Sequence, residues 1–165
     1  MASRKGIIVT IIILAVITAG SFLLWMIPQG SQMSIVVSDY ENYLDGVKEI
    51  HSVLDQSISE EFQGLRDGNV SPEEYLKTAE VISSQVTSQI SEFVTSNPTT
   101  EWQESYIRYM ESLQTFNSYV TETKVYAGLV KDGRTDKLVE TMDKIQEIKS
   151  ESEKLAKLSD ESRPK

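Results

Sequence analysis

His51 and Asp55 stand four residues apart, a spacing that places both side chains on one face of a helix. An imidazole beside a carboxylate is the pairing of a metal ligand or of a general base. A carboxylate-bridged metal centre in a helical bundle needs more, namely glutamates on facing helices and a second histidine in Glu-x-x-His spacing. Here Lys48 stands three residues before His51, and His51 is the sole histidine. The expectation is a packed or solvated imidazole and no metal. Two Asp-Gly pairs, Asp67-Gly68 and Asp132-Gly133, bring carboxylates into loops. Neither has the D-x-D-x-D-G run and distal glutamate of a calcium loop, and helix termination accounts for both glycines. Glu60-Glu61 and Glu73-Glu74 are adjacent, so on a helix their carboxylates diverge. The chain has no cysteine, which removes disulfides, thiolate metal sites and cysteine nucleophiles together. With no glycine-rich phosphate loop and no recognisable nucleophile beside a base, the sequence predicts no catalytic residue, no cofactor and no enzyme.

Tyrosine is the more suggestive excess. Tyr40, Tyr43, Tyr75, Tyr106, Tyr109, Tyr119 and Tyr126 all fall in helical stretches. Such rings either line a ligand slot, with hydroxyls orienting a guest, or fill core boundaries with the hydroxyl reaching water. Trp102, Tyr106 and Tyr109, with the loop acids Asp67 and Asp132, form the candidate ligand or partner surface. Asn69-Val70-Ser71 is a glycosylation sequon in a predicted exposed loop.

The elements that position these residues are marked by three breaks. In "RDGNVSPEEYL", Gly68 suits the left-handed position past a helix end, Ser71 can cap the next helix, Pro72 takes its first position and Glu74 completes a capping box. Val70 and Tyr75 have hydrophobic-staple spacing. "SNPTTEWQ" ends one helix at Asn97-Pro98 and opens another with Thr100 as cap. "VKDGRTDKL" uses Gly133 as terminator and Thr135 as cap. Helices are therefore expected over 33–66, 72–96, 101–131 and 136–158. The third has the clearest seam: Trp102, Tyr106, Tyr109, Leu113, Phe116, Val120, Thr123, Ala127 and Val130 alternate in steps of four and three. The first carries Val36, Tyr40, Tyr43, Val47, Ile50 and Leu54 before shifting phase to Ile58, Phe62 and Leu65.

Breaks this short force antiparallel neighbours. The expected fold is all-α, an up-down-up-down four-helix bundle, with an elongated oligomeric coiled coil as the alternative. The two Asp-Gly loops then share a distal tip with Asp67, Asn69, Glu73, Asp132, Arg134 and Asp136. They also resemble one another, "GLRDGNVSPEEYL" against "GLVKDGRTDKLVE", as two related hairpins would.

Ahead of the bundle, residues 6–27 contain no charged side chain. As a helix the run reaches about 33 Å, enough for a hydrocarbon core of about 30 Å. Trp25 suits the headgroup zone, and Pro28 with Gly30 ends the span. Arg4 and Lys5 precede it, whereas Asp39, Glu41 and Asp45 follow before the first cation, Lys48. The positive-inside rule puts the N-terminus in the cytoplasm and the rest outside. A cleaved signal peptide is the rival, with Thr18-Ala19-Gly20 before Ser21, but the apolar stretch runs on through Trp25. The expected organisation is 1–30 cytoplasmic tail and anchor, 31–158 extracytoplasmic bundle, and 159–165 disordered tail.

Residues 3–30, "SRKGIIVTIIILAVITAGSFLLWMIPQG", resemble the N-terminal anchors of uncharacterised membrane proteins from ammonia-oxidising archaea. The resemblance covers under a fifth of the chain and implies an envelope location in a single-membrane cell. It carries no activity and no site.

Charge narrows the partners. Net charge is −9, and once Arg4 and Lys5 are set aside, 14 Lys and Arg face 25 Asp and Glu. Binding polyanions requires clustered cations, so nucleic acid is not an expected partner. What remains is a membrane-anchored, non-catalytic interaction module with the lipid bilayer and an envelope protein as partners, in the manner of an accessory subunit of a membrane protein complex. The alternative is a sensor-like domain for a small ligand that signals only through a partner.

Overall fold

The computed structural model describes residues 39–165, all in helices and short turns, so the apolar run 6–27 lies outside the described residues. No helix among the described residues is long and apolar enough to cross a membrane. Four α-helices follow one another: α1 Tyr40–Arg66, α2 Pro72–Val94, α3 Gln103–Lys131 and, after a 3-10 turn at Thr135–Lys137, α4 Leu138–Glu161.

The helix ends follow local chemistry. Asp39 caps α1 from an extended backbone (φ −134°, ψ 93°), its carboxylate accepting the Asn42 amide at 3.0 Å. α1 thus begins at Tyr40, and the part of the expected helix at 33–38 lies outside the described residues. At the first break, the Asn69 amide donates to the Gly64 carbonyl and the Gly68 amide to Leu65, with Gly68 at φ +71°. That is the Schellman ending, and it repeats after α3: Arg134 to Leu129, Gly133 to Val130, with Gly133 at φ +68°. The two loops that resemble one another in sequence share this geometry. Ser71 and Glu74 form the expected capping box behind Pro72.

The other two expected caps are corrected. α3 begins at Gln103 without a side-chain cap, because residues 99–102 close a tight turn in which the Trp102 amide donates to the Thr99 carbonyl at 2.9 Å. Thr135 opens the 3-10 turn instead of capping α4 directly.

Each helix reverses the direction of the one before. Tyr43 stacks near Phe93 and Phe62 near Tyr75, which sets α1 against α2. Phe93 with Tyr106 and Tyr75 with Thr123 set α2 against α3. α4 closes the ring against both α3 and α1, where Lys48 meets Asp160 and Asp55 meets Lys149. The described residues are thus an all-α four-helix bundle. One half of its core is built on Ile58, Ile82, Val86, Phe116 and Val120, the other on Leu44, Phe93, Tyr106, Tyr109 and Leu113. Leu44 is fully buried while Ile50 is 37% exposed, so the seam of α1 passes through Leu44 and His51, not through Ile50.

α3 and α4 are the most closely apposed pair. Ser105 and Ser159 each donate from Oγ to the other's carbonyl, both at 2.8 Å. One heptad on, Ser112 and Ser152 do the same at 2.8 and 2.9 Å. A hydroxymethyl group is small enough to let two backbones approach until a side chain of one reaches the main chain of the other.

That contact corrects the expected tail. α4 runs to Glu161, and Ser159 is fully buried against Ser105. Arg163 then pairs with Asp45 and, at 3.0 Å, with Asp160. Residues 159–163 are therefore packed against α3 and α1, because their partners lie on distant helices and not in the local sequence.

Candidate functional site

The aromatic seam is an interior, not a surface. Tyr106 is 3% exposed and Tyr109 1%. Phe93 and Tyr106 stack with centroids 4.6 Å apart, and half-buried Trp102 meets Tyr106 edge-on at 6.2 Å. Aromatic pairs in such geometries contribute about 0.5–1.5 kcal/mol beyond area burial. The candidate surface at Tyr106 and Tyr109 is corrected accordingly: the turn of α1 carrying Tyr40, Tyr43 and Leu44 covers it. The hydroxyls are satisfied internally. Tyr106 Oη donates to the Tyr40 carbonyl at 2.7 Å, and Tyr75 Oη to Thr123 Oγ1. Burial pushes both phenols well above their ordinary range. At neutral pH they are locked protonated donors.

His51 belongs to this interior. Its Nδ1 lies 2.9 Å from Tyr109 Oη, and its ring meets Phe116 edge-on at 4.4 Å. Burial lowers the imidazole to about 4, with Lys48 adding to the effect and Asp55 opposing it. Asp55 turns the other way, to Lys149 at 3.1 Å. The His51–Asp55 pairing is therefore not assembled, and the imidazole serves as a neutral cross-brace between α1 and α3. Among the described residues no group of His, Asp and Glu is arranged to hold a metal.

The tip is assembled as the sequence suggests. Lys131, at the end of α3, pairs with Glu73, at the start of α2, at 3.2 Å, which brings the two Asp-Gly turns to one end. Asp67, Asn69, Asp132, Arg134 and Asp136 are all exposed there. Asp67 accepts from the Gln63 amide at 2.8 Å, one turn back on its own helix.

Sequence reasoning missed two groups. The first is the Arg163 cluster, where one guanidinium meets Asp45, Asp160 and, at 4.0 Å, Glu41. The second is a pair of glutamines on α2, buried Gln89 and half-buried Gln85, whose amide atoms are buried and have no hydrogen-bond partner among the described residues. A signal for the glutamines was present, since Gln89 interrupts an otherwise apolar phase between Val86 and Phe93. No protein-family model matches the chain, and neither the curated proteins nor the solved structures compared with it contain a match.

Proposed function

We propose that the protein is a membrane-anchored, non-catalytic interaction module: a single span at residues 6–27 with a cytoplasmic N-terminus, carrying the bundle outside the cell, where it docks onto a protein of the envelope. The observation that carries this reading is the charge-free run itself, with Arg4 and Lys5 before it and only acids after it until Lys48. The bundle supports it in a second way. The hydroxyls of Tyr75, Tyr106 and Tyr109 and its histidine are spent on internal bonds, while its charged tip is exposed. A partner thus meets the tip as an exposed polar surface before it meets the aromatic interior. The same internal bonding removes the tyrosine slot as an argument for the sensor reading.

The test uses the absence of cysteine. Single substitutions Ser3→Cys and Asp132→Cys in the full chain, expressed in membranes, are probed with a maleimide that cannot cross lipid. Labelling at 132 and protection at 3 is the expected pattern; the reverse, or recovery of the protein in the soluble fraction, overturns the anchor. A cross-linker at position 132 should then capture one defined membrane protein stoichiometrically. Recovery of the chain alone from mild detergent overturns docking while leaving the anchor standing.

A further inference from the structure

Gln89 is 9% exposed, and neither its amide oxygen nor its amide nitrogen is bonded by any described residue. The amide atoms of half-buried Gln85, one turn earlier, are likewise buried and unbonded, as is the hydroxyl of Ser57 on α1. Buried polar atoms are nearly always paired, so three such side chains in one bundle need a physical account.

Their placement supplies one. On α2, Glu80 and Ser83 reach α3 through Lys124 and Asn117, and Val86 and Phe93 enter the core. At about 100° per residue, Gln85, Gln89 and Glu92 form a stripe on the opposite flank, towards α1. On α1, Lys48, Asp55 and Ser59 turn to α4, which leaves Ser57 and Glu61 on the flank towards α2. The two flanks meet in a seam far less closely apposed than that between α3 and α4. Its unbonded polar atoms thus lie in a loosely apposed seam.

Charge selects the guest. α1 and α2 together carry ten acidic and three basic side chains, whereas α3 carries three of each. No ion pair engages Glu61 or Glu92 among the described residues. Glu92 lies close enough to Tyr43 of α1 to raise its phenol, after burial itself. An anion is repelled from this seam, and a cation gains an attraction to Glu92 that a neutral guest does not.

We infer that the α1–α2 seam binds a small organic ammonium ion, whose N–H groups donate to the Gln85 and Gln89 amide oxygens and whose charge faces Glu92. This site goes beyond partner docking and stands or falls separately from it. The amide oxygens are expensive while buried and unpaired, so a guest that donates to them recovers that part of the cost of burial.

The experiment is thermal unfolding of the full chain in nanodiscs, titrated with 1,4-diaminobutane at constant ionic strength made up with sodium chloride. The expected result is a saturable rise in Tm of about 5 °C. Gln85→Leu/Gln89→Leu should abolish the rise while lifting the ligand-free Tm, since two unpaired amides are removed. Glu92→Gln, on an exposed position that leaves the core intact, should weaken binding about tenfold by removing one close charge. Asp143→Asn on α4 should change nothing. No saturable rise overturns the inference, and so does a rise that survives in the double variant, which marks mere counter-ion screening.

Discussion

His51 Nδ1 and Tyr109 Oη are 2.9 Å apart across the bundle, joining α1 to α3 through a neutral imidazole that burial holds at about 4. The folded value lies below the ordinary 6.5, so the unfolded chain binds the extra proton between pH 6.5 and 4. Stability from this group is present above 6.5 and lost as pH falls towards 4. The full shift corresponds to about 3 kcal/mol. Glu61 acts in the opposite sense just above its ordinary 4.5, because burial and then Glu74 and Glu60 raise its carboxyl. The clean readout is therefore a difference. Urea midpoints measured from pH 7 to pH 5 should fall for the natural chain and stay nearly level for His51→Leu. Parallel curves would mean that the imidazole is hydrated in the folded state.

The serine ladder makes a size prediction. Ser112→Ala removes one interhelical donor from the Ser112–Ser152 pair and should cost about 1 kcal/mol. Ser112→Leu inserts three further carbon atoms where two backbones touch, and should cost about 3 kcal/mol. Both are read by chemical denaturation. Equal effects of the two changes would show that α3 and α4 are not held in close register.

Glycines separate backbone strain from space. Gly68 and Gly133 have φ +71° and +68° with open surroundings, so alanine at either costs the left-handed backbone term alone, about 1–2 kcal/mol. Gly46 lies inside α1 with nothing within 4 Å of an added Cβ, and Gly46→Ala should stabilise by about 0.5–1 kcal/mol. In Gly64→Ala the new methyl would lie 2.7 Å from Val70 Cγ2, a side chain that packs against the core just before α2. The gain in helix propensity is outweighed by displacing Val70, and the variant should lose about 1 kcal/mol. Melting curves of the four variants should order as Gly46→Ala above the natural chain and the other three below it.

What was readable in the sequence was what neighbours in the chain decide. Gly68, Ser71, Pro72 and Glu74 act through bonds no longer than five residues, and all four do what their types suggest. The α3 seam was readable because its apolar side chains are large and strictly spaced. The phase of α1 was not: Leu44 and Ile50 are equally apolar, and it is contacts with distant helices, the Phe93, Tyr106 and Tyr109 cluster for Leu44 and Tyr109 for His51, that mark the inward face. Thr100 and Thr135 failed as caps because the chain tightens into short turns there, which side-chain chemistry does not reveal. Ser105, Ser112, Ser152 and Ser159 read as solvated polar residues until α3 and α4 are set in register. The tyrosine seam is legible as to place, but the sequence leaves slot and core filling open, since burial depends on which helix covers it.

Arg163 gives the last prediction. Its guanidinium meets Asp45 and Asp160, which raise its affinity for the proton, the Asp45 bond most of all, and Lys48 also meets Asp160. Arg163 thus fastens the end of α4 beside the first turns of α1. The carboxylate partners are about half exposed, so water and salt screen the contacts and the global cost of Arg163→Ala should be about 1 kcal/mol or less. The local effect should be larger. Hydrogen exchange in Arg163→Ala is expected to accelerate across residues 40–48 and 157–163, with α3 unchanged. Raising the natural chain from 0.05 to 1 M salt should shift exchange the same way, since about 3 Å of screening length remains at 1 M. Acceleration spread evenly over the bundle would mean that Arg163 stabilises the fold as a whole and does not fasten one corner of it.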